Sequence, residues 1–207
     1  LEVDENDNPL YDEDGNQKVT YSATVVFCQE TKISYKGKSL ENMIQWVPGN
    51  GGLWSPQNEQ KVWSRGMEIS SRSDWKYAGF NGYFRFGYNY TPSTYMEAAS
   101  GQADIVDKQV IYIPLHKIQE TFYFARNACY SLFSFSMTGK RYVQSDNSSS
   151  LPAYSLFDVY AGTILKSRKT SFRLQAEIHN VLNTEYQSIQ YYPEQGRSFI
   201  ISLLITK

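Results

Sequence analysis

Apolar and polar residues alternate with a period of two through much of this 207-residue sequence. The clearest run is 172–178, in which every second residue is apolar and every residue between is polar. Similar runs occupy 19–27 and 199–205, and the run at 80–90 carries aromatic rings at its apolar positions. Side chains in a strand point alternately to opposite faces, so each run predicts a strand with one apolar and one polar face.

The runs divide the chain into eight predicted strands with no helical pattern of useful length between them. Because the predicted hairpins follow one another without a crossover, the sequence indicates an all-β fold, an antiparallel up-and-down meander of about eight long strands. The predicted strands are 19–35, 61–73, 79–91, 110–124, 128–144, 153–164, 171–180 and 197–206.

The predicted connections alternate between short and long. The long ones are rich in Gly, Pro, Asn and Ser, which favour loops. Turns are therefore expected at one end of the sheet and loops at the other. Tight links are predicted at about 74–78, 125–127 and 165–169. Long connections are predicted at about 37–60, 92–109, 145–152 and 181–196.

The direction in which the apolar faces point separates two classes of protein. In a soluble sandwich they pack on a second sheet, whereas in an outer-membrane barrel they contact lipid. The predicted strands span about 10 to 17 residues, against roughly 5 to 6 in ordinary sheets. Tyr and Phe also cluster near strand ends, where membrane girdles place amphipathic rings. Both features favour the membrane barrel.

Composition excludes several other classes. No stretch approaches the roughly 18 apolar residues of a membrane helix, and mean hydropathy is -0.50. The 20 Lys and Arg are scattered singly, so no nucleic-acid groove is expected. Cys28 and Cys129 lie far apart and are predicted to be free thiols. His116 and His179 are isolated imidazoles, so we expect no catalytic site, cofactor or metal site and no enzyme.

The N-terminal segment differs in charge from the rest of the chain. Residues 1–17 hold seven acids and no Lys or Arg. The stretch Asp4–Asn8 resembles the start of a calcium loop, but Pro9 and Gly15 stand where Gly and the closing Glu are required. We therefore predict a solvated acidic turn or linker at 1–18.

Motifs in the C-terminal third occur in a specific order. Leu-Pro-Ala-Tyr-Ser-Leu-Phe-Asp at 151–158 leads into a strand, His-Asn-Val-Leu-Asn-Thr-Glu-Tyr stands at 179–186, and Tyr-Tyr-Pro-Glu-Gln-Gly-Arg-Ser-Phe stands at 191–199. This order resembles the last four strands of bacterial outer-membrane TonB-dependent receptors. Upstream, Trp54–Glu68 is similar to the family's loop and Gly-x-Glu strand. The stretches 111–116, 139–143 and 145–147 fit the strands between. The resemblance covers residues 19–207.

The resemblance implies that residues 19–207 are the C-terminal strands of a larger transmembrane β-barrel in the bacterial outer membrane. The complete receptor has about 22 strands around an N-terminal plug. The implied partners are the remaining strands and the plug, in the same or a separate chain, outer-membrane lipid, and a periplasmic energy-coupling protein that acts through the plug. The implied activity is active uptake of a scarce nutrient such as a ferric siderophore, haem or cobalamin. Lys207 departs from the family, whose last residue is usually aromatic.

Two groups of site residues follow from the predicted loops and faces. Aromatic rings in the long connections are predicted to contact ligand, or else to pack the loops together. These are Trp46, Trp54, Tyr95, Tyr191 and Tyr192. Charges on the polar faces are predicted to line the lumen, or else to be solvated, and Arg197 is expected to anchor a loop to lumenal carboxylates. These are Glu68, Arg85, Arg173, Glu177 and Arg197.

Two other interpretations fit the alternation. The first is a secreted all-β carbohydrate- or protein-binding module that uses Trp46, Trp54 and the loop tyrosines as a platform. It requires Phe84, Phe86 and the 172–178 run to pack on a second sheet. The second is a self-contained eight-stranded barrel, which requires hydrogen bonds between residues near 20 and residues near 204.

Overall fold

The structure is a computed structural model that describes residues 26–48, 53–97 and 103–206. The predicted acidic segment, the first part of the first predicted strand and Lys207 lie outside these residues. The strands are β1 (Val26–Pro48), β2 (Trp54–Tyr77), β3 (Phe80–Tyr90), β4 (Ser93–Glu97), β5 (His116–Arg126), β6 (Cys129–Thr138), β7 (Arg141–Tyr142), β8 (Ser150–Leu151), β9 (Tyr154–Ser167), β10 (Thr170–His179), β11 (Gln187–Ile189), β12 (Tyr192–Pro193) and β13 (Ser198–Thr206).

One antiparallel sheet contains the principal strands in the order β1-β2-β3-β5-β6-β9-β10-β13, and β4 pairs with β2 beside this path. The predicted all-β meander of eight main strands is therefore confirmed. Two short hairpins, β7–β8 and β11–β12, lie in the connections, and a 3-10 turn spans Ala103–Ile105. Within the described ranges, the chain forms no helix long and apolar enough to cross a membrane.

The two ends of the sheet differ as the sequence predicts. Two-residue turns at 78–79, 127–128 and 168–169 close three hairpins at one end. Ala78 and Gly79 both have positive φ, 47° and 81°, as a type I′ hairpin turn requires at its two central residues. The opposite end carries the long connections, which include β4, β7, β8, β11 and β12. We call these the turn end and the loop end.

Three predicted boundaries are wrong. The strand predicted at 128–144 is too long, because β6 ends at Thr138. The stretch 37–60 is not a long loop, because β1 continues to Pro48 and β2 begins at Trp54, paired from Val26↔Lys76 to Pro48↔Trp54. Conversely, 110–115 is not strand, because β5 begins at His116. Tyr112 has φ 59°, a left-handed conformation that interrupts an extended chain.

The register assigns each side chain to one of two faces. Cross-strand partners share a face, and one row across six strands is entirely apolar. This row is Phe84, Phe122, Phe133, Val159, Ile178 and Phe199. We call this side the apolar face. The opposite side, the polar face, carries Arg72, Arg85 and Glu177.

No second sheet covers the apolar face in the described part of the chain, and Ile201 on that face is 79% exposed. The packing that a secreted sandwich requires is therefore absent from these residues. The sheet is also open, with β1 and β13 as its two edges. The residues near 20 that a self-contained eight-stranded barrel would pair with β13 lie outside the described ranges. The arrangement is that of part of a larger barrel wall.

Candidate functional site

The loop end contains the buried apolar core of the described chain. Val62 in β2 pairs with Tyr95 in β4, and both are at most 1% exposed. Ile105 and Val110 pack against them at 5% and 1% exposed. Leu40 from β1 packs on the same cluster. We call Val62, Tyr95, Ile105 and Val110 the loop core. Because its members are buried against one another, it holds the β3–β5 connection against the extended β1–β2 hairpin.

A side-chain pair joins the β3–β5 connection to the β7–β8 hairpin. The Gln109 N–H donates to Asn147 Oδ1, and Asn147 Nδ2 donates to the Gln109 carbonyl oxygen, both at 2.8 Å. Gln109 is 7% exposed, and its own amide bonds Ser93 N, the Thr91 oxygen and the Ile113 oxygen. These bonds satisfy backbone groups that no strand ladder satisfies, so they hold irregular chain in a defined shape.

Arg141 links the β7–β8 hairpin to the last long connection. It is 5% exposed and donates to the carbonyl oxygens of Gln187 at 3.0 Å, Ser188 at 3.3 Å and Pro152 at 3.4 Å. Its guanidinium lies 4.9 Å from the centre of the Tyr154 ring. A planar, permanently charged fork with five donors suits this position, because several carbonyls converge on it.

A cleft of about 630 Å³ opens between these two connections at the loop end. Tyr154 and Tyr186 form its aromatic wall, with ring centres 4.4 Å apart. Glu185 and Glu194 contribute carboxylates to the lining. Burial raises the pKa of the Tyr186 phenol, and the nearby Glu194 charge adds to this effect. The cleft can accommodate a flat or hydroxylated group between a ring surface and polar atoms.

On the polar face, a hydrogen-bonded network surrounds His179. Its Nε2 lies 3.1 Å from Glu177 Oε2, and its Nδ1 lies 3.8 Å from Asp158 Oδ2. Gln175 donates to Glu177 Oε1 at 3.0 Å and accepts from the Tyr130 hydroxyl. All of these side chains point to the same side of β6, β9 and β10. The network stiffens this part of the polar face, which is the side that would line the interior of a barrel.

A glycine permits the Tyr130 end of this network. A Cβ added at Gly162 would lie 2.5 Å from the Tyr130 ring and 2.8 Å from the Leu174 carbonyl oxygen. The ring therefore lies directly over the backbone of β9, and no larger residue fits there without displacing it.

A second cluster on the polar face combines cations and rings. Arg72 and Arg85 lie over the Tyr83 ring, at 4.6 Å and 4.8 Å from its centre. Arg72 also forms a two-point contact with Asp74 at 2.6 and 2.7 Å. Tyr83 stacks on Tyr123 with ring centres 5.0 Å apart. These contacts hold two guanidinium groups on the polar face in fixed positions.

The five rings predicted to contact ligand occupy different environments. Trp46, Tyr191 and Tyr192 are exposed, at 59%, 80% and 61%. Trp54 is partly buried, 5.8 Å from Tyr112. Tyr95 belongs to the loop core and has no exposed surface. All five lie at the loop end, but their roles in ligand contact stay predictions.

The predicted lumenal charges Glu68, Arg85, Arg173 and Glu177 all lie on the polar face by register. Their contact with a plug or with water stays a prediction. The expected contact of the Arg197 side chain with lumenal carboxylates also stays a prediction.

The Arg197 backbone N–H donates to Asn183 Oδ1 at 2.9 Å, whereas its exposed guanidinium forms no ion pair within the described chain. Gly196 permits this approach, since a Cβ there would lie 2.9 Å from the same oxygen. The backbone of Arg197 therefore holds this connection to the Asn183 side chain.

Several residues with defined roles were not predicted from the sequence. Nothing in a single sequence distinguishes the buried Arg141 from an exposed loop arginine, and Asn147 carries only a weak match to a glycosylation acceptor. The pairing of Asp158 with His179 required the strand register. Among the residues described, no group of three or more His, Cys, Asp or Glu side chains could hold a metal ion.

Comparison with known proteins extends this description. A family profile for the TonB dependent receptor-like β-barrel matches residues 32–181. The chain is similar in structure to BauA, the ferric preacinetobactin receptor of Acinetobacter baumannii, with a TM-score of 0.58 and 17% identity over 87% of this chain and 27% of that one. It is also similar to Fiu, the ferric-catecholate import receptor of E. coli K12, with a TM-score of 0.57 and 17% identity over 86% of this chain and 24% of that one.

A comparison with curated proteins gives no match. The chain spans about a quarter of the length of the two solved receptors. Their low identity supports the fold alone, but the family profile covers well over half of the sequence. The chain therefore belongs to the TonB-dependent receptor-like β-barrel family.

Proposed function

We propose that this chain is the C-terminal wall of an outer-membrane receptor that actively imports a scarce nutrient of the ferric siderophore, haem or cobalamin class. Proteins of the family reside in the outer membrane and, when complete, contain a plug that engages TonB. In this proposal the chain performs no catalysis. It supplies barrel wall and loops, and the other strands, the plug and the periplasmic energy-coupling protein are its partners.

The observation that carries the proposal is the division of the sheet into two faces. The row from Phe84 to Phe199 is apolar across six strands and uncovered, which suits hydrocarbon. The opposite face holds the His179 network and the Tyr83 cluster, which suit an aqueous interior or a plug surface. The sheets of transmembrane barrels have this distribution, with the apolar side towards lipid and the polar side towards the interior.

The loop end supports a role in ligand capture. The loop core, the Gln109–Asn147 pair and Arg141 hold three connections in fixed shapes. A preorganised surface binds with a smaller entropic cost than a flexible one. BauA and Fiu are receptors for ferric ligands, and this likeness supports the ferric siderophore class first.

Uptake by cells tests the proposal. Cells that express the protein carrying this chain should accumulate one of three radiolabelled probes: iron presented as a ferric catecholate or hydroxamate, iron-labelled haem, or cobalt-labelled cobalamin. A strain lacking the protein should not accumulate it. A protonophore should abolish accumulation while leaving surface binding intact. The protein should also fractionate with the outer membrane and show heat-modifiable migration.

Two results would contradict the proposal. One is a freely soluble monomer in the aqueous fraction, because the apolar face would then require another cover. The other is unchanged accumulation of every probe in the deletion strain. A matched control strain that lacks only the energy-coupling protein separates binding from import.

A further inference from the structure

The cleft beside Tyr154 and Tyr186 lies on the polar-face side of the sheet. Tyr154 pairs with Thr138, and Thr138 pairs with Lys117. The same row of partners continues to Glu68 on the polar face, so the Tyr154 side chain points to that side too. In the proposed orientation, the cleft of about 630 Å³ therefore lies at the outer mouth of the barrel interior. Its volume is within the range of small-molecule sites, roughly 300 to 1,000 Å³.

The lining of the cleft is negatively charged. Among the described residues that form it, Glu185 and Glu194 are the only charged ones. Both are exposed, and no ion pair reaches either of them from the described part of the chain. Both carboxylates are therefore available to a ligand.

Two cations lie near the cleft, but neither pairs with its carboxylates. Arg141 lies 4.9 Å from the centre of the Tyr154 ring, but it is buried and directs its donors to backbone carbonyl oxygens. Arg197 follows the lining residue Gly196, and its exposed guanidinium forms no ion pair within the described chain. The acids of the lining thus keep their charge uncompensated by direct contact.

The Tyr186 phenol lies in a negative field. Burial raises its pKa, and the charges of Glu194 and Asp158 raise it further. A field that disfavours the phenolate favours a cation beside the ring, for the same electrostatic reason. The negative charge of the lining therefore extends to its aromatic wall.

The backbone that carries these groups is held in place. The Glu194 N–H donates to the Tyr186 carbonyl oxygen at 3.0 Å, which places the two residues side by side. Asn180 is 4% exposed and exchanges two hydrogen bonds with the Thr184 backbone, at 2.8 and 2.9 Å, directly before Glu185. A ligand that binds here therefore has little backbone to order, which lowers the entropic cost of binding.

An aromatic ring beside an unpaired carboxylate suits an ammonium group better than other ligand groups. The carboxylate accepts charge-assisted hydrogen bonds from the N–H donors, and the face of the ring attracts the cation. A hydroxyl group gains neither charge interaction, and an anion is repelled by the acids.

We propose that the cleft binds a protonated amine of the imported ligand, between the Tyr186 ring and the Glu194 carboxylate, and that this ligand is a ferric hydroxamate with a free amine. Hydroxamates balance the charge of ferric iron, so an attached ammonium makes the complex cationic. Ferric catecholates are anionic, haem carries propionates, and cobalamin carries amides in place of amines. This inference rests on the proposed function and names its substrate.

Two probes that differ only in this charge test the inference. One is the ferric complex of desferrioxamine B, a linear trihydroxamate whose terminal amine is protonated, and the other is the same complex with the amine acetylated. The receptor carrying this chain, purified in detergent, should bind the amine probe about tenfold more tightly. An exposed ion pair and a cation–π contact are each worth roughly 2- to 5-fold. Isothermal titration calorimetry measures both affinities.

Three variants identify the group that carries the preference. Glu194→Gln keeps the shape of the side chain and should weaken binding of the amine probe about threefold, without affecting the acetylated probe. Glu194→Lys should abolish the preference for the amine probe. Glu41→Gln removes an exposed acid of the β1–β2 hairpin and should change neither affinity. All three should melt close to the temperature of the unaltered protein, because both side chains are exposed.

Three results would overturn the inference: equal affinity of the unaltered receptor for the two probes, a preference that Glu194→Gln leaves unchanged, or an equal loss of both affinities in that variant. If neither probe binds while cells still import haem, cobalamin or a ferric catecholate, the amine site is wrong and the proposed function stands. If cells import none of these probes, the proposed function is wrong as well.

Discussion

Gln109 and Asn147 exchange two hydrogen bonds of 2.8 Å although 38 residues separate them in the chain. The Asn147 amide takes the place of a neighbouring strand for the Gln109 backbone. Asn147 also has φ 62°, a left-handed conformation that asparagine tolerates better than most residues. One side chain thus holds two connections together and also turns its own backbone.

Asn147→Gly should loosen the β3–β5 connection. Glycine keeps the left-handed backbone without strain, so the change isolates the lost hydrogen bonds. Two backbone groups of a buried residue lose their partner, and we expect about 2 kcal/mol less protection of the Gln109 amide in hydrogen exchange. Asn147→Asp should reduce the protection less than Asn147→Gly does, because aspartate keeps the acceptor oxygen and loses only the amide donor. Ser145→Gly in the same turn serves as the control, and equal exchange in all variants would contradict this role.

Truncation should lower stability strongly at Tyr95 and hardly at all at Tyr191. Tyr95→Ala removes a fully buried ring from the loop core and should cost about 3 to 5 kcal/mol of local stability. Tyr191→Ala removes an 80% exposed ring and should change stability by less than about 0.5 kcal/mol. Hydrogen exchange and thermal unfolding measure both. If Tyr191 contacts ligand, its variant should weaken ligand binding at unchanged melting temperature; equal binding by Tyr191→Ala and the unaltered protein argues against contact.

Adjacent positions on β6 distinguish the two faces. Phe133 lies in the apolar row, whereas Ser134 pairs with Thr121 and Asp158 on the polar face. Phe133→Arg should destabilise the barrel by about 2 to 4 kcal/mol, because it places a cation in hydrocarbon. Ser134→Arg should have little effect, since it places the same charge near an aspartate. Urea unfolding in lipid vesicles measures the difference, and the reverse order would refute the membrane orientation.

Asp146 should make its loop sensitive to acid. Hydrogen bonds from the Ser148 N–H and hydroxyl hold the pKa of this exposed carboxyl below its usual value. Its stabilising contribution is therefore present above about pH 4 and is lost as the pH falls through the lowered pKa. A spin label at Ser145→Cys, with Cys28 and Cys129 replaced by serine, should become more mobile over that range. Asp146→Asn should abolish the pH dependence, and a pH response that persists in this variant would exclude Asp146 as its source.

The strands that form the apolar and polar faces could be predicted from the sequence. The alternation at 172–178 predicted a strand at 171–180, and β10 spans Thr170–His179. In the proposed orientation, each such strand has lipid on one side and a polar interior on the other, so its sequence records both environments. The alternation of short and long connections could also be predicted, because the long ones are rich in Gly, Pro, Asn and Ser.

Segments beyond these strands could not be predicted. The outer halves of β1 and β2 pair mainly with one another and lack a single apolar face, so their Gly, Pro and Asn residues indicated a loop. Val110 and Ile111 are β-branched residues of the kind that strands favour, but they are buried within a folded connection. Arg141 and Asn147 act through contacts with segments distant in sequence, and those contacts depend on the strand register.

The β1–β2 hairpin continues well past the end of its neighbour. The last pairs with β3 are at Met67, opposite Tyr35, and thirteen more residues of β1 follow to Pro48. At about 3.3 Å per residue these residues extend about 40 Å beyond β3. Because β4 pairs with β2 as far as Lys61, opposite Glu41, the hairpin extends about 20 Å beyond β4. In the proposed orientation, a particle too large to settle among the connections, such as an antibody or a virus, could still reach the exposed Trp46. The reach of this hairpin would therefore open it to recognition from outside the cell.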